Sequence, residues 1–368
     1  MESLGMTEVL LRSFQGKRVL VTGDTGFKGS WLAIWLKLLG GKVFGYALPP
    51  LTKRDNYVVT KLSEKIDHQD GDIRDRQALK QYMDSVKPDI VFHLAAQPLV
   101  VESYHDPAYT FETNVIGTVN ILESIRECSS VQVAINVTTD KVYQNKEWVW
   151  GYRENDPLGG KDPYSASKAC SDLITSSYIH SYFTDGHCKI ASARAGNVIG
   201  AGDWADNRII PDFFRAKLGR KKLVLRNPEA TRPWQHVLEP LSGYLLLAAQ
   251  LLNDGEFVGA WNFGPKDDMN FTVRDLVNQM LELEPAIEID INKSDTLHEA
   301  TLLKLDISKA VSILGWKPSL SFKETIDLTV RGYGVDMSDG DSYKNRIESI
   351  EKYMNYASDD SIHIKDIL

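Results

Sequence analysis

RVLVTGDTGFKGSWLAIWLKLLGGKVFGYA, residues 18–47, decides how the chain folds. Arg18-Val19-Leu20-Val21-Thr22 reads as a short buried strand and runs straight into Gly23-Asp24-Thr25-Gly26-Phe27-Lys28-Gly29. An apolar run from Trp31 to Leu39 follows and stops at Gly40-Gly41, the usual left-handed end of a helix. Lys42 to Ala47 then reads as a second strand, so the unit is strand, glycine turn, helix, strand. Glycines spaced GxxGxxG in that setting let the backbone approach a pyrophosphate at the positive end of a helix. The turn residues Gly23, Thr25, Gly26, Phe27, Lys28 and Gly29 are therefore expected to hold a dinucleotide.

The alternation continues outward. A third strand ends near Asp70-Gly71-Asp72-Ile73, where Asp72 and Ile73 are placed to bracket an adenine, and a helix is expected from Asp75 to Val86. Asp89 to Leu94 reads as a strand entering the small-residue loop Ala95-Ala96-Gln97-Pro98, so Leu94, Ala95, Ala96 and Gln97 are further cofactor candidates. A long helix from about Pro107 to Cys128 carries Asn114, another cofactor candidate, and Val131 to Val137 is a β-branched strand delivering Thr138 to Lys141 at its carboxyl end. Strands and helices alternating at this spacing imply a parallel sheet with helices on both faces, and ligands of such sheets bind at the strands' carboxyl ends. Beyond Gly196 the alternation lapses. Residues 1–195 are expected to form the dinucleotide-binding domain and 196–368 a mainly substrate-binding region, with about 259–265 returning to the main sheet and the residues after Tyr343 a tail or packing arm.

Two cofactor details stand out. Strand two ends in Tyr46-Ala47-Leu48, without the carboxylate that commonly holds the adenosine ribose, while Lys53 and Arg54 just beyond are candidates for a 2′-phosphate. NAD and NADP are both left open by these residues.

The chemistry concentrates in Thr139-Asp140-Lys141 and in Tyr164-Ser165-Ala166-Ser167-Lys168. Tyr164 and Lys168 are one helical turn apart on the same face. An ammonium beside a phenol is expected to lower its pKa, so that it can exchange a proton near neutral pH. Thr139 offers a hydroxyl to the same oxygen, and Asp140 and Lys141 add an acid and an amine. These groups suit reactions at a carbon bearing a hydroxyl or a ketone.

Composition sets limits. The net charge of −8 argues against nucleic-acid binding, and no run is apolar enough to span a membrane. Three scattered cysteines (Cys128, Cys170, Cys188) form neither a disulfide framework nor a metal motif, so no metal and a cytoplasmic setting are expected. The N-terminus reads as having no signal peptide.

GxxGxxG, HLAAQ, the Asn114 helix, TTDK and YSASK, in this order, resemble the extended short-chain dehydrogenase/reductases. The resemblance implies an α/β, Rossmann-type doubly wound parallel sheet with a smaller mixed C-terminal substrate-binding region. Within that superfamily GDTGFKGSWL, GYALPP, HLAAQPLV, TTDKVYQN, ARAGNVIGAGDWADNRIIPD and RPWQHVLEP resemble the CDP-glucose 4,6-dehydratases, in which Asp24 is more often a histidine. That resemblance implies NAD as cofactor and CDP-glucose as substrate. It implies Thr139, Asp140, Lys141, Tyr164 and Lys168 as catalytic residues, with Tyr164 acting at the 4-hydroxyl, Asp140 as the acid and Lys141 as the base, and Tyr164 and Lys168 also binding the cofactor. Asn197, Arg208, Arg232 and His236 fall where the family's motifs bind the nucleotide-sugar, and the resemblance further implies that the helices around 107–128 and 164–183 build a homodimeric four-helix bundle. A nucleotide-sugar 4-epimerase would use Tyr164 and Lys168 without needing Asp140 and Lys141. A non-catalytic dinucleotide sensor or scaffold would need none of the five.

Overall fold

A computed structural model describes residues 5–253, 255–266, 271–285, 287–291, 303–338 and 340–357. Seven strands form one parallel sheet: β1 (Arg18–Thr22), β2 (Lys42–Ala47), β3 (Asp67–Asp70), β4 (Ile90–His93), β5 (Val133–Val137), β6 (Lys189–Ala195) and β7 (Gly259–Phe263). Their spatial order is β7-β6-β5-β4-β1-β2-β3. The order reverses between β1 and β4, so the crevice of the fold opens above those two strands. β1, β4 and β5 are short, β-branched and almost wholly buried, as a sheet covered on both faces requires. β7 lies parallel to β6, from Gly259 opposite Ala191 to Phe263 opposite Ala195, so the late return to the sheet read from AWNFGP is present.

The helices are α1 (Met6–Phe14), α2 (Phe27–Leu38), α3 (Arg76–Val86), α4 (107–127), α5 (Pro163–Tyr182), α6 (Ile209–Gly219), α7 (Leu238–Asn253), α8 (Val273–Leu283), α9 (Phe322–Met337) and α10 (Ser342–Ala357). On one face of the sheet, side chains of α1, α2, α7 and α10 share a core with Val19, Val21, Phe92 and Ile135. On the other face α3, α4 and α5 pack on Leu20, Val91 and Ala134. A third core, around Phe213, Phe214, Met280, Ile326 and Tyr333, joins α6, α8 and α9.

Three differences from the sequence reading have simple causes. α2 begins at Phe27 rather than Trp31, because the glycine turn is itself the helix start, with Gly26 as N-cap. α4 runs from Pro107 to Glu127 with one wide turn at Glu112–Ile116, an inserted π-type turn that the residue pattern does not announce. The charged stretch after Tyr343 is helix α10 as far as Ala357; Tyr353 hydrogen-bonds Ser242 and Glu239, which makes it a packing arm, and its last residues lie outside the described ones.

Candidate active site

The glycine turn is held by backbone. Gly23 takes φ +77°, and a Cβ there would lie 2.7 Å from the amide nitrogen of Ala95. A Cβ on Gly29 would sit 2.1 Å from the Gly23 carbonyl oxygen. Thr25 donates its hydroxyl to the Leu48 carbonyl (2.8 Å), tying the turn to the end of β2. No side chain caps α2 among the described residues, so its first amides face the crevice. A run of backbone with no room for a Cβ at Gly23 or Gly29, leading into uncapped helix amides, fits a dinucleotide diphosphate.

The loop after β4 is the opposite wall. Leu94 and Ala95 bond through their amides to Thr22. Asn114, at the wide turn of α4, accepts from the Gln97 amide (2.8 Å) and donates to the Gln97 carbonyl (3.1 Å) and to Ser167 (2.9 Å). It therefore clamps the Ala95-Ala96-Gln97 loop to α5, and both of its amide hydrogens are committed within the protein. Ile73 packs beneath Gly117, while the Asp72 carboxylate is gripped by Arg74 at 2.6 Å.

Two neighbours of the cofactor turn lie elsewhere than the sequence suggests. The Asp24 carboxylate does not face the phosphate crevice; it turns beneath β2 to His68 (2.7 Å). Arg54 lies over the Trp204 ring, 5.2 Å from its centre, and so faces the C-terminal region rather than a ribose phosphate.

The catalytic candidates converge at the ends of β5 and α5. Thr139 caps the short turn Asp140–Val142; its hydroxyl donates to Asp140 (3.0 Å) and acts on the Tyr164 phenol. Tyr164 and Lys168 are 9% and 6% exposed. Lys168 donates to the Val137 carbonyl at 3.0 Å. Burial pushes the Tyr164 phenol up to about 12, with the Thr139 hydroxyl partly offsetting it, so the expected lowering of its pKa is absent. The ammonium of Lys168 is turned to a strand carbonyl, and desolvation outweighs it. Lys168 itself is held down to about 8, first by burial and then by the charge of Lys28. Lys28 is also held down to about 8, by burial and then by Arg208, with Asp140 opposing. Burial raises the Asp140 carboxyl, against Lys141, Thr139 and Lys28. A Cβ on Gly196 would lie 2.8 Å from Asp140 Oδ2, so that glycine makes room for the acid. Lys141 is partly buried beside it. Asp140 and Gly196 also line a narrow cavity with Pro233, Gly264, Pro265, Lys266, Lys304 and Leu305.

The substrate candidates divide. Arg208 is oriented by Asp203 (2.7 Å), and its charge acts on both Tyr164 and Lys28. Asn197, half-buried just after β6, accepts the Gln235 amide through its carbonyl (3.2 Å). Arg232 is half-buried on a two-residue strand paired with Phe271–Thr272. His236 is not at the crevice. It is 1% exposed, edge-on to Trp31, and burial drives it down to about 3, a neutral core histidine. Its short strand turns the ring inward under α2. His93 is likewise structural, bonded to Thr22 at 2.7 Å.

Sequence reading offers Arg194 as a structural ion-pair partner but misses what it supports behind this wall. Arg194 grips Asp172 through two bonds of 2.8 Å, and Asp172 accepts from Thr138 at 3.0 Å. It also missed Asp203 and Gly196. No local signal marks these residues, since each matters through a partner distant in the chain. Among the described residues no cluster has the makings of a metal site, and no helix is long and apolar enough to cross a membrane.

A family model described as GDP-mannose 4,6 dehydratase matches residues 20–329. The chain is similar to a CDP-glucose 4,6-dehydratase of Salmonella typhimurium, 47% identical over 326 residues that make up 86% of this chain and 90% of that protein. Among solved structures it is similar to a dTDP-glucose 4,6-dehydratase from Streptomyces venezuelae with NAD and TYD bound, with a TM-score of 0.71 and 26% identity over 85% of this chain and 96% of that one. A UDP-glucose 4-epimerase from Brucella ovis in complex with NAD has the same fold, with a TM-score of 0.74 and 22% identity over 87% of this chain and 99% of that one.

Proposed function

The chain belongs to the GDP-mannose 4,6-dehydratase family, and from that premise we propose how its residues convert CDP-glucose to CDP-4-keto-6-deoxyglucose and water. The enzyme is a hydro-lyase that uses NAD and is redox-neutral overall. The observation that carries the site assignment is the Thr139–Asp140–Lys141 turn set against the buried Tyr164 phenol, with the Asp140 carboxyl buried and raised.

NAD held by the Gly23–Gly29 turn and the Leu94–Gln97 loop would supply the hydride acceptor and donor for carbons 4 and 6, and its positive charge would favour the phenolate form of Tyr164. Tyr164 takes the proton of the 4-hydroxyl, with Thr139 hydrogen-bonded at the same oxygen. The ketone so formed acidifies the hydrogen at carbon 5, which Lys141 removes. Asp140 protonates the 6-hydroxyl as it leaves; an acid whose pKa is raised by burial keeps its proton long enough for that task. The proton held by Lys141 then returns to carbon 5. Arg208, Asn197 and Arg232 are assigned to the nucleotide diphosphate. The backbone of Gly23 to Gly29 and of Leu94 to Gln97 is assigned to the cofactor.

Pairing of two copies through α4 and α5 belongs to the same reading. Phe111, Ile116, Leu173 and Tyr182 on these helices are 38–56% exposed, although their opposite faces are buried in the core, an arrangement suited to a bundle with a second copy. A cytoplasmic setting agrees with the free cysteines.

The test is incubation with CDP-glucose and catalytic NAD, followed by mass and NADH absorbance. A product lighter by one water, with no net NADH, is expected. An unchanged mass with carbon 4 inverted would replace the reading by a 4-epimerase. Sedimentation of a monomer at micromolar concentration would remove the pairing.

A further inference from the structure

Asp24 is an unusual occupant of a phosphate-binding turn, because a carboxylate there sits close to a bound dianion. It is 0% exposed, and one oxygen, Oδ1, is buried without a hydrogen-bond partner among the described residues. The other, Oδ2, meets His68 Nδ1 on β3 at 2.7 Å. To reach β3 the side chain crosses β2, and it does so where β2 has Gly45: a Cβ there would lie 2.1 Å from Oδ2. Gly45 and His68 are register partners. His68 continues the line outward, its Nε2 lying 3.1 Å from the exposed Asp70 carboxylate. A glycine gap, a buried acid and an imidazole thus form one connection from the cofactor turn through the sheet edge to solvent.

We infer that Asp24 and His68 are a positioning pair for the cofactor, and that the proton on His68 sets how tightly NAD binds without entering the chemistry. When the imidazole is charged, the pair is neutral and the turn presents only its amides to the diphosphate. When the imidazole loses its proton, a buried negative charge is left behind the turn and repels the dianion. NAD affinity therefore falls as pH rises through the His68 pKa. Hydrogen bonds to Asp24 and Asp70 move that pKa upward despite burial. By reciprocity of linkage, bound NAD must raise the same pKa further.

The other groups facing the pair are Asp70 and Asp67 on β3, Tyr57, whose ring is 5.3 Å from His68, and Tyr82 of α3. Burial holds both phenols protonated through the neutral range. Lys28, on the other side of the turn, loses its own proton near about 8 and adds a slope of the same sign, so the contribution of His68 is read as the difference from a His68→Gln variant.

The inference rests on the turn being the NAD site, and the experiment separates the two. NAD is titrated into the ligand-free protein by tryptophan fluorescence between pH 6 and 9, and the His68 ring resonance, identified by its loss in His68→Gln, is titrated by NMR with and without NAD. For the wild type we expect affinity to fall about threefold to tenfold more than for His68→Gln, and NAD to move the His68 titration to higher pH. Asp24→Asn should return His68 toward an ordinary imidazole and flatten the same part of the slope. Gly45→Ala, which closes the gap, should weaken NAD binding at every pH while turnover at saturating NAD changes little. If His68 titrates identically with and without NAD, or if the His68→Gln slope equals that of the wild type, the pair is structural and the inference is overturned. Failure of the wild type to bind NAD at any pH would overturn the reading of the turn itself.

Discussion

Between Gly23 and Gly29 the chain works almost entirely with backbone, whereas between Thr139 and Lys168 it works almost entirely with side chains. The turn binds by shape: a Cβ on Gly23 or Gly29 would collide with main chain at 2.7 and 2.1 Å. The catalytic wall works by charge placed out of water, and its titrating groups are moved by burial first and by one another second. Tyr164 and Asp140 go up and Lys168 goes down, the last pressed by Lys28, a charged side chain that the turn lends to the wall. A backbone site fails when matter is added to it. A buried charged site fails when one member of its balance is removed.

Replacing Tyr164 by Phe is the largest test of the second half of that contrast. It should cut kcat about a hundredfold to ten-thousandfold while leaving NAD titration unchanged. If NAD binding collapses as well, the wall and the turn are one cooperative unit. The matching test of the first half is Gly29→Ala, which puts a methyl against the Gly23 carbonyl. The expected result is a stability loss of about 1–3 kcal/mol in urea, with weakened NAD binding. An unchanged variant would mean that the turn is looser than its contacts imply.

The rule for buried charge can be checked away from the substrate, at Glu239. Its carboxylate accepts the Ser319 and Leu320 amides and the Tyr353 hydroxyl, yet burial lifts it to about 7. Because the folded value lies above the ordinary carboxylate range, its contribution is full at low pH and is lost as pH rises through about 7. Glu239→Gln should therefore gain about 1–3 kcal/mol of stability at pH 8 relative to wild type, and little at pH 4. A gain that does not depend on pH would place the effect in packing instead. The smallest expected effect is on the alkaline limb of kcat. The Lys168 ammonium disappears above about 8, and the charge of Lys28 is its second depressant after burial. Lys28→Met, assayed at saturating NAD, should move that limb upward by a fraction of a pH unit. A downward shift would deny the coupling between the two lysines.

Residue pattern and three-dimensional contact contributed unequally to these two regions. The turn was legible because its function is its glycine spacing and its place between strand and helix, both local. β2 was read at its observed bounds and β7 was found from a short aromatic run, since strands that are buried on both faces must be apolar. Tyr164 and Lys168 were legible as a pair because one helical turn separates them. Their protonation was not, since the phenol at about 12 reflects the protein packed over it rather than the lysine four residues away. His236 misled for the same reason: beside Arg232 and Trp234 in the chain it looks like a ligand, and only packing turns it under Trp31.

Sequence alone determined the order of strands and helices along the chain, a ligand site at the strands' carboxyl ends, and the list of groups able to move protons there. All of these follow from periodicity and from steric rules that act over a few residues. Only the tertiary structure decided which charges lie beside which. It set Asp24 against His68 across Gly45, Arg194 against Asp172, and Arg208 against Asp203. Electrostatic energies inside a protein depend on burial and on through-space distance, and neither quantity is carried by a residue's neighbours along the chain.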